Sequence, residues 1–298
     1  MIVVNSTELG NVLNSKTTVA LGSFDALHKG HLKVIESAIQ HAKSNSLKSL
    51  IQIFDSTFFK EPINTLRRRL KILEETGADI VVVEQFDQDF QKLTYKEFVS
   101  KYLKHRYNAA TVFAGKNYRF GYLAEGNSEK LVSECLNSNI EAHIIDCLQI
   151  DEIVSSTKIR DFIKNGQVEN AIEYMSRPYA LEGTVIHGNA IGRTLGFPTA
   201  NIMIPSGILV PKDGVYLTKV ILPYGTFFGI TNIGSKPTVN TSERNIETYI
   251  SDFDANLYGK SIELEFLKRI RDIKHFESLD LLKNQLELDK KEIPKNEQ

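Results

Sequence analysis

Four apolar runs in the first half of the chain constrain its fold more than any other feature. "TTVALGSF", "SLIQIF", "ADIVVVEQF" and "AATVFAG" are apolar almost throughout and do not alternate with polar residues. A strand with one wet face alternates, so a continuous apolar run needs cover on both faces. The intervening segments supply that cover. "GHLKVIESAIQHAKSNS", "LRRRLKILEETG" and "TYKEFVSKYLKHRY" carry apolar residues at helical spacing, with Thr94 placed to cap the third. Strand and helix in alternation predict a parallel sheet clothed by helices, a doubly wound α/β domain. "SSTKIRDFIKNGQVENAIEYM" extends the pattern as two helices broken at Asn165–Gly166.

The texture changes near "SRPYALEG". Six short β-rich runs follow, punctuated by Gly and Pro: "ALEGTVIHG", "TANIMI", "GVYLTKVIL", "TFFGITNIG", "IETYISDF" and "SIELEFLKRI". Strands at this spacing predict an antiparallel barrel or sandwich. "SLDLLKNQLELDKKEI" closes the chain as an amphipathic helix, and "PKNEQ" reads as a frayed tail. The predicted division is 1–178 and 179–298, in line with a length of 298 residues. No internal repeat or low-complexity linker separates the two parts.

A formal net charge of -1 carries no footprint of a nucleic-acid or membrane-surface binder. Any phosphate is therefore held by local geometry. No apolar run approaches the roughly 20 residues that span a bilayer. "MIVVNSTELGNV" lacks the basic and long apolar regions of a signal peptide. Cys135 and Cys147 show no metal or redox spacing and read as reduced thiols, so the expected location is cytoplasmic. Oligomeric state is not legible.

Two of the seven histidines, His28 and His31, stand three residues apart in "GSFDALHKGH", where a strand hands over to a helix. Gly22 permits a tight turn, the helix is expected to start around Gly30–His31, and Gly30 lets an anion approach the backbone. Free N–H groups at a helix start, beside the carboxyl end of a parallel strand, make an anion site. Such a site suits nucleotidyl transfer, with charge on an α-phosphate stabilised and no protein nucleophile needed. Taken alone, H-x-x-H is more often two surface histidines or part of a metal site.

"HGNAIGRTLGFPTANI" is the strongest signal. Gly188, Gly192 and Gly196 recur every fourth position, followed by Phe197-Pro198-Thr199-Ala200-Asn201. Thr199 and Asn201 project to one face of a strand, and their oxygens suit Mg²⁺. The plain alternative is a Gly-rich turn with buried polar residues. "DANLYGKS" imitates the end of a Walker A loop, but Asp254 holds the place of its first glycine and the segment lies between strands, so it is set aside.

"GSFDALHKGH" resembles the HxGH motif of the nucleotidylyltransferase superfamily, in the form found in bacterial FMN adenylyltransferases. "AGKNYRFG" and "SSTKIR" follow in order and are similar to two further segments of that family. By this resemblance His28 and His31 act on the phosphates, Gly22, Phe24, Asp25 and Gly30 line the nucleotide, and Asn117 positions substrate. Ser156 and Thr157 bind the triphosphate and Arg160 neutralises it. Two departures stand out: Ala26 replaces a glycine, and "FDSTFF" replaces F-x-P-H-P, with Asp55 either a substitute polar group or a turn residue.

The later segment resembles the G-x-F-P-T-A-N motif of riboflavin kinases, and the likeness continues through "DGVYLTKV", "GITNIGSKPTVN" and "IETYISDF" to "KNQL". It implies nucleotide binding at Gly188, Gly192, Gly196 and Pro198, Mg²⁺ on Thr199 and Asn201, Glu247 as catalytic base and Arg271 in a flap over the flavin. Together these resemblances imply the bifunctional riboflavin kinase/FMN adenylyltransferase (FAD synthetase) family. The implied fold is a Rossmann-like nucleotidylyltransferase domain followed by a small β-barrel. The implied substrates are ATP, riboflavin and FMN, with Mg²⁺ as cofactor and no nucleic-acid or membrane partner. Two other readings are retention of one activity only and a non-catalytic flavin or nucleotide sensor.

Overall fold

Each of the four apolar runs forms a strand, and two shorter strands join them at the edges. The computed structural model describes residues 1–298 except 12, 56–57, 189–191, 193–194, 236–243 and 295–298. Strands β1 (Ile2–Asn5), β2 (Thr17–Leu21), β3 (Lys48–Phe54), β4 (Ile80–Glu84), β5 (Ala109–Gly115) and β6 (Glu141–Ile145) form one sheet in the order β1-β4-β3-β2-β5-β6. All its pairings are parallel. Alternate residues of each central strand enter different cores. Val19 and Leu21 pack with Leu50, Val82, Val112 and the helical residues Phe98 and Leu103. Ala20 faces the other way, with Ile51, Val81, Val34 and Ile35. Both faces are therefore covered, which is why these strands read as unbroken apolar runs.

Helix α1 (Lys29–Ser44) follows β2, and α2 (Leu66–Glu75) follows β3. Thr94 caps the next helical segment through a capping box with Glu97. From Phe98 to Arg106 that segment widens into a π-helix, with Tyr107 N–H donating to Tyr102 O at 2.7 Å. The sequence pattern reads it as ordinary helix because its apolar stripe is the same.

The six later runs become β7 (Tyr179–Ile186), β8 (Thr199–Met203), β9 (Gly214–Leu222), β10 (Gly225–Ser235), β11 (Arg244–Ile250) and β12 (Ser261–Arg271). They close into an antiparallel barrel ordered β10-β11-β8-β7-β12-β9. A helix at Leu279–Lys290, capped by Ser278, ends the chain. The contacts divide the chain into two compact units, Met1–Ser156 and Thr157–Gln298. That division lies upstream of the texture change at Pro178, for a physical reason. The helices Ser156–Lys164 and Val168–Met175 are tied to barrel residues: Lys212 N–H donates to Ile163 O at 3.2 Å, and Arg269 N–H donates to Glu169 Oε1 at 3.2 Å. Gly166, at φ +75°, sits where a Cβ would stand 2.6 Å from the Arg269 side chain.

Candidate active site

In the parallel sheet the chain runs from β2 to β3 and β4 on one side, then crosses to β5 on the other. The crevice at such a reversal collects ligands outside the carboxyl ends of the strands. The loop after β2 carries His28 and His31; the turn after β5 carries Asn117, which is exposed. Gly115 lies against Asn117: a Cβ there would stand 3.2 Å from Asn117 Oδ1.

His28 is the N-cap of α1, whose first residue, Lys29, lies one residue before the expected start. The His28 Nδ1 accepts the His31 backbone N–H at 3.1 Å. With Nδ1 as acceptor, the proton of a neutral ring sits on Nε2, which is left as a donor. The rings of His28 and His31 stack at 3.6 Å, and Phe24 meets His31 edge-on at 5.2 Å. Phe24 and Leu27 adopt left-handed backbone at φ 48° and 47°. Such conformations cost of order 1–3 kcal/mol each in non-glycine residues, and burial of both side chains in the core holds them. Phe24 thus supports the loop from below. Gly22 owes its identity to that ring, because a Cβ would come within 2.7 Å of it. Ala26 is buried and does not have positive φ, so its methyl group fits where the family carries glycine.

Asp25 is also buried. Its Oδ1 accepts the Ile63 N–H at 2.9 Å, while Asn64 Nδ2 donates to the Asp25 carbonyl at 2.7 Å. The loop is thereby latched to the segment that enters α2. Arg69, fully buried on α2, was not legible as a site neighbour, because "LRRRL" reads as a solvated face. Its Nη1 donates to Phe54 O at 2.7 Å, and Nε and Nη2 have no hydrogen-bond partner among the described residues. Burial pushes its pKa down to about 10, opposed by the charges of Asp25 and Asp55. In "FDSTFF" the Phe54 and Phe58 rings stack at 4.3 Å, and Asp55 N–H donates to Glu84 O at 3.0 Å. Asp55 thus continues the β3–β4 ladder by one rung through its backbone, and its charge acts on Arg69; Ser56 and Thr57 lie outside the described residues.

Ser156 and Thr157 open the helix Ser156–Lys164, and Arg160 is half-buried in it. Ser156 Oγ is buried with no hydrogen-bond partner among the described residues, an orphan hydroxyl at a helix N-terminus.

In the barrel, strand pairing assembles a second constellation. Asn201 on β8 lies opposite Glu247 on β11, which lies opposite Asn232 on β10. Residues paired this way share a face. Thr199 and Tyr249 form the neighbouring pair on that face. Asn245 Nδ2 donates to Glu247 Oε1 at 2.7 Å and aims the carboxylate. Neither Asn245 nor Asn232 was singled out from sequence; strand register reveals Asn232, and the hydrogen bond two residues along β11 reveals Asn245. The glycines have separate reasons. A Cβ at Gly188 would overlap the Asn201 amide, one at Gly192 would overlap Phe197 O and stand 3.3 Å from Thr199 Oγ1, and Gly196 has φ +83°. Pro198 is exposed just before β8.

Arg271 is not brought to this row. It ends β12, three strands from β11 around the barrel. Its guanidinium grips Asp289 of the terminal helix, Nη2 to Oδ2 at 2.7 Å and Nε to Oδ1 at 3.0 Å.

Family models agree with both halves. Residues 11–158 match the FAD synthetase model and residues 175–296 the riboflavin kinase model. The bifunctional riboflavin kinase/FMN adenylyltransferase of Haemophilus influenzae is 35% identical over 282 residues, covering 91% of each chain. That of Bacillus subtilis is 33% identical, covering 93% of this chain and 92% of its own. A crystal structure of a Streptococcus pneumoniae protein described as a macrolide-efflux protein superposes with a TM-score of 0.90 at 30% identity, covering 98% of both chains. Among the described residues, no helix of the present chain is long and apolar enough to cross a membrane. With two separate cradles, one at a parallel-sheet switch point and one on a closed barrel, this chain belongs to the bifunctional riboflavin kinase/FMN adenylyltransferase family.

Proposed function

We propose that the chain carries out both reactions of its family in the cytoplasm, riboflavin phosphorylation on 179–298 and FMN adenylylation on 1–178. The observation that carries this reading is that each half holds its own phosphate-type cradle with a group suited to its step. In the barrel, Glu247 takes the proton of the ribityl terminal hydroxyl as that oxygen bonds to the γ-phosphorus of ATP; ADP leaves and FMN forms. Asn245 orients the carboxylate. Gly188 lets the Asn201 amide pack against bare backbone, and Gly192 does the same for Phe197 O beside Thr199. Mg²⁺ fits the donor chemistry there, because a hydroxyl and an amide supply hard oxygen donors. Thr199 and Asn201 would hold the ion, which supplies charge neutralisation of the phosphates.

In the α/β domain an FMN phosphate oxygen attacks the α-phosphorus of a second ATP, and pyrophosphate leaves. His28, donating through Nε2, stabilises the charge that builds on the α-phosphoryl oxygens. The α1 N-terminus adds its free N–H groups. Gly30 leaves room for the His28 ring, since a Cβ would stand 3.3 Å from it. Asn117 positions substrate, and Ser156, Thr157 and Arg160 take the polyphosphate.

Purified protein with ATP, Mg²⁺ and either riboflavin or FMN, products separated by chromatography, tests the reading. Glu247→Gln is expected to lower FMN formation by about 10²–10⁴-fold and to spare adenylylation; His28→Ala does the reverse. No FAD from FMN would leave a kinase alone. Binding of flavin and nucleotide without either product would leave a sensor.

A further inference from the structure

We propose that His41, Glu141 and His143 form a site for a divalent transition metal with tetrahedral preference, best matched by Zn²⁺. The inference is independent of the two reactions. At 1.5 Å per residue, the 13 positions from His28 to His41 put this cluster about 20 Å along α1 from the His28 loop.

The donor atoms of the three side chains all lie within 4.8 Å of one another. His143 Nε2 is 2.9 Å, and His41 Nε2 3.9 Å, from the two Glu141 oxygens. Ligand bonds of about 2.0–2.1 Å in a tetrahedron set donors about 3.3–3.4 Å apart. Small rotamer shifts would therefore bring all three onto one ion, with water in the fourth position. Two imidazoles and one carboxylate are a donor set that favours Zn²⁺ over Mg²⁺ or Ca²⁺.

The surroundings prepare the ligands. Glu141 and His143 are two apart on β6 and share a face. The buried Thr18 Oγ1 lies 3.2 Å from His41 Nδ1; in the tautomer with the proton on Nδ1, Thr18 accepts that N–H and the Nε2 lone pair is left for a metal. Phe113 stacks on His143 at 4.6 Å and touches the His41 ring at 5.5 Å, so one aromatic ring holds both imidazoles. His143 Nε2 is buried and close to Glu141, yet makes no hydrogen bond among the described residues. An ion between the two would satisfy both. Glu141 is 61% exposed, which leaves an entry path. A bound ion would pin the last turn of α1 to the edge strand β6.

The test uses the full chain, stripped with chelator and titrated calorimetrically with ZnCl₂, and separately with CoCl₂ followed by visible absorption. The expected result is a saturable site with tetrahedral Co²⁺ bands and a melting midpoint raised by Zn²⁺ but not by Mg²⁺. Thr18→Val should weaken binding by about 10–100-fold, and Glu141→Gln and His143→Asn by at least as much. Glu141→Gln changes an exposed side chain and so guards against misfolding as the cause. His28→Ala should leave this binding intact. Unchanged affinity in both the Glu141 and His143 variants, absence of saturable binding, or loss in His28→Ala alone would overturn the proposal.

Discussion

Gly188 and Gly196 stand in the same repeat but answer to different constraints. A methyl group at 188 collides with the Asn201 amide, whereas one at 196 meets nothing and only strains a left-handed backbone. Gly188→Ala should therefore cut FMN formation by about 10²-fold through misplacement of Asn201. Gly196→Ala should mainly lower stability, by about 1 kcal/mol. Kinase assays beside urea titrations separate the two. Glu84 offers a pH test. Burial raises its pKa above 4.5, outweighing the Tyr107 hydroxyl that donates to it at 2.6 Å. A carboxyl group raised in the folded state stabilises most below its unfolded pKa and loses that contribution as pH rises through the folded value. Glu84→Gln should thus gain stability over wild type as pH rises above the ordinary glutamate pKa, read as urea midpoints. The sequence showed Gly188 and Asn201 as members of one motif; their mutual exclusion needed the fold, because it depends on β8 returning beside residue 188.

Arg271 shows how element packing can redirect a residue. A cation at the end of a strand looks available from sequence, yet its fork is occupied by Asp289, which is 2% exposed. Gln285 Nε2 also donates to Asp289, at 2.9 Å. Removing one partner of a buried pair typically costs about 3–5 kcal/mol, while replacing both by apolar residues is often tolerated. Asp289→Ala should lower the melting midpoint sharply, and Arg271→Met/Asp289→Leu should recover most of the loss. Kinase activity retained in the double variant would place Arg271 in the scaffold; its loss would return Arg271 to the flavin. Strands differed in legibility for a related reason. The four central ones are sealed on both faces and announce themselves. Edge strands β1 and β6 are half-open and short, so their apolar pieces, Ile2-Val3-Val4 and Ile144-Ile145, are too brief to stand out. Inside the barrel, Thr218, Thr231 and Thr248 are linked at 2.7 and 2.8 Å across three strands. That polar ladder is invisible in sequence because each threonine also suits an outward-facing position.

On the scale of the whole molecule, the texture change and the contact division give different fragments. A chain of 157–298 keeps the helices tied to Lys212 and Arg269, while 179–298 loses both hydrogen bonds and the cover they bring. The longer fragment should unfold at the higher urea concentration and hold more FMN-forming activity. Equal midpoints would show that these helices contribute nothing to the barrel.

The order of apolar runs and turn residues was enough to determine a parallel α/β half and a small β half, along with the loops that carry chemistry. Periodicity and Gly–Pro punctuation are local properties, written directly in the chain. Register, closure and side-chain pairing depend on residues far apart in sequence. Only the tertiary structure could decide that Asn232 and Asn201 flank Glu247, that Arg69 lies buried beside Asp25, that Arg271 is bound to the terminal helix, and that His41 meets His143.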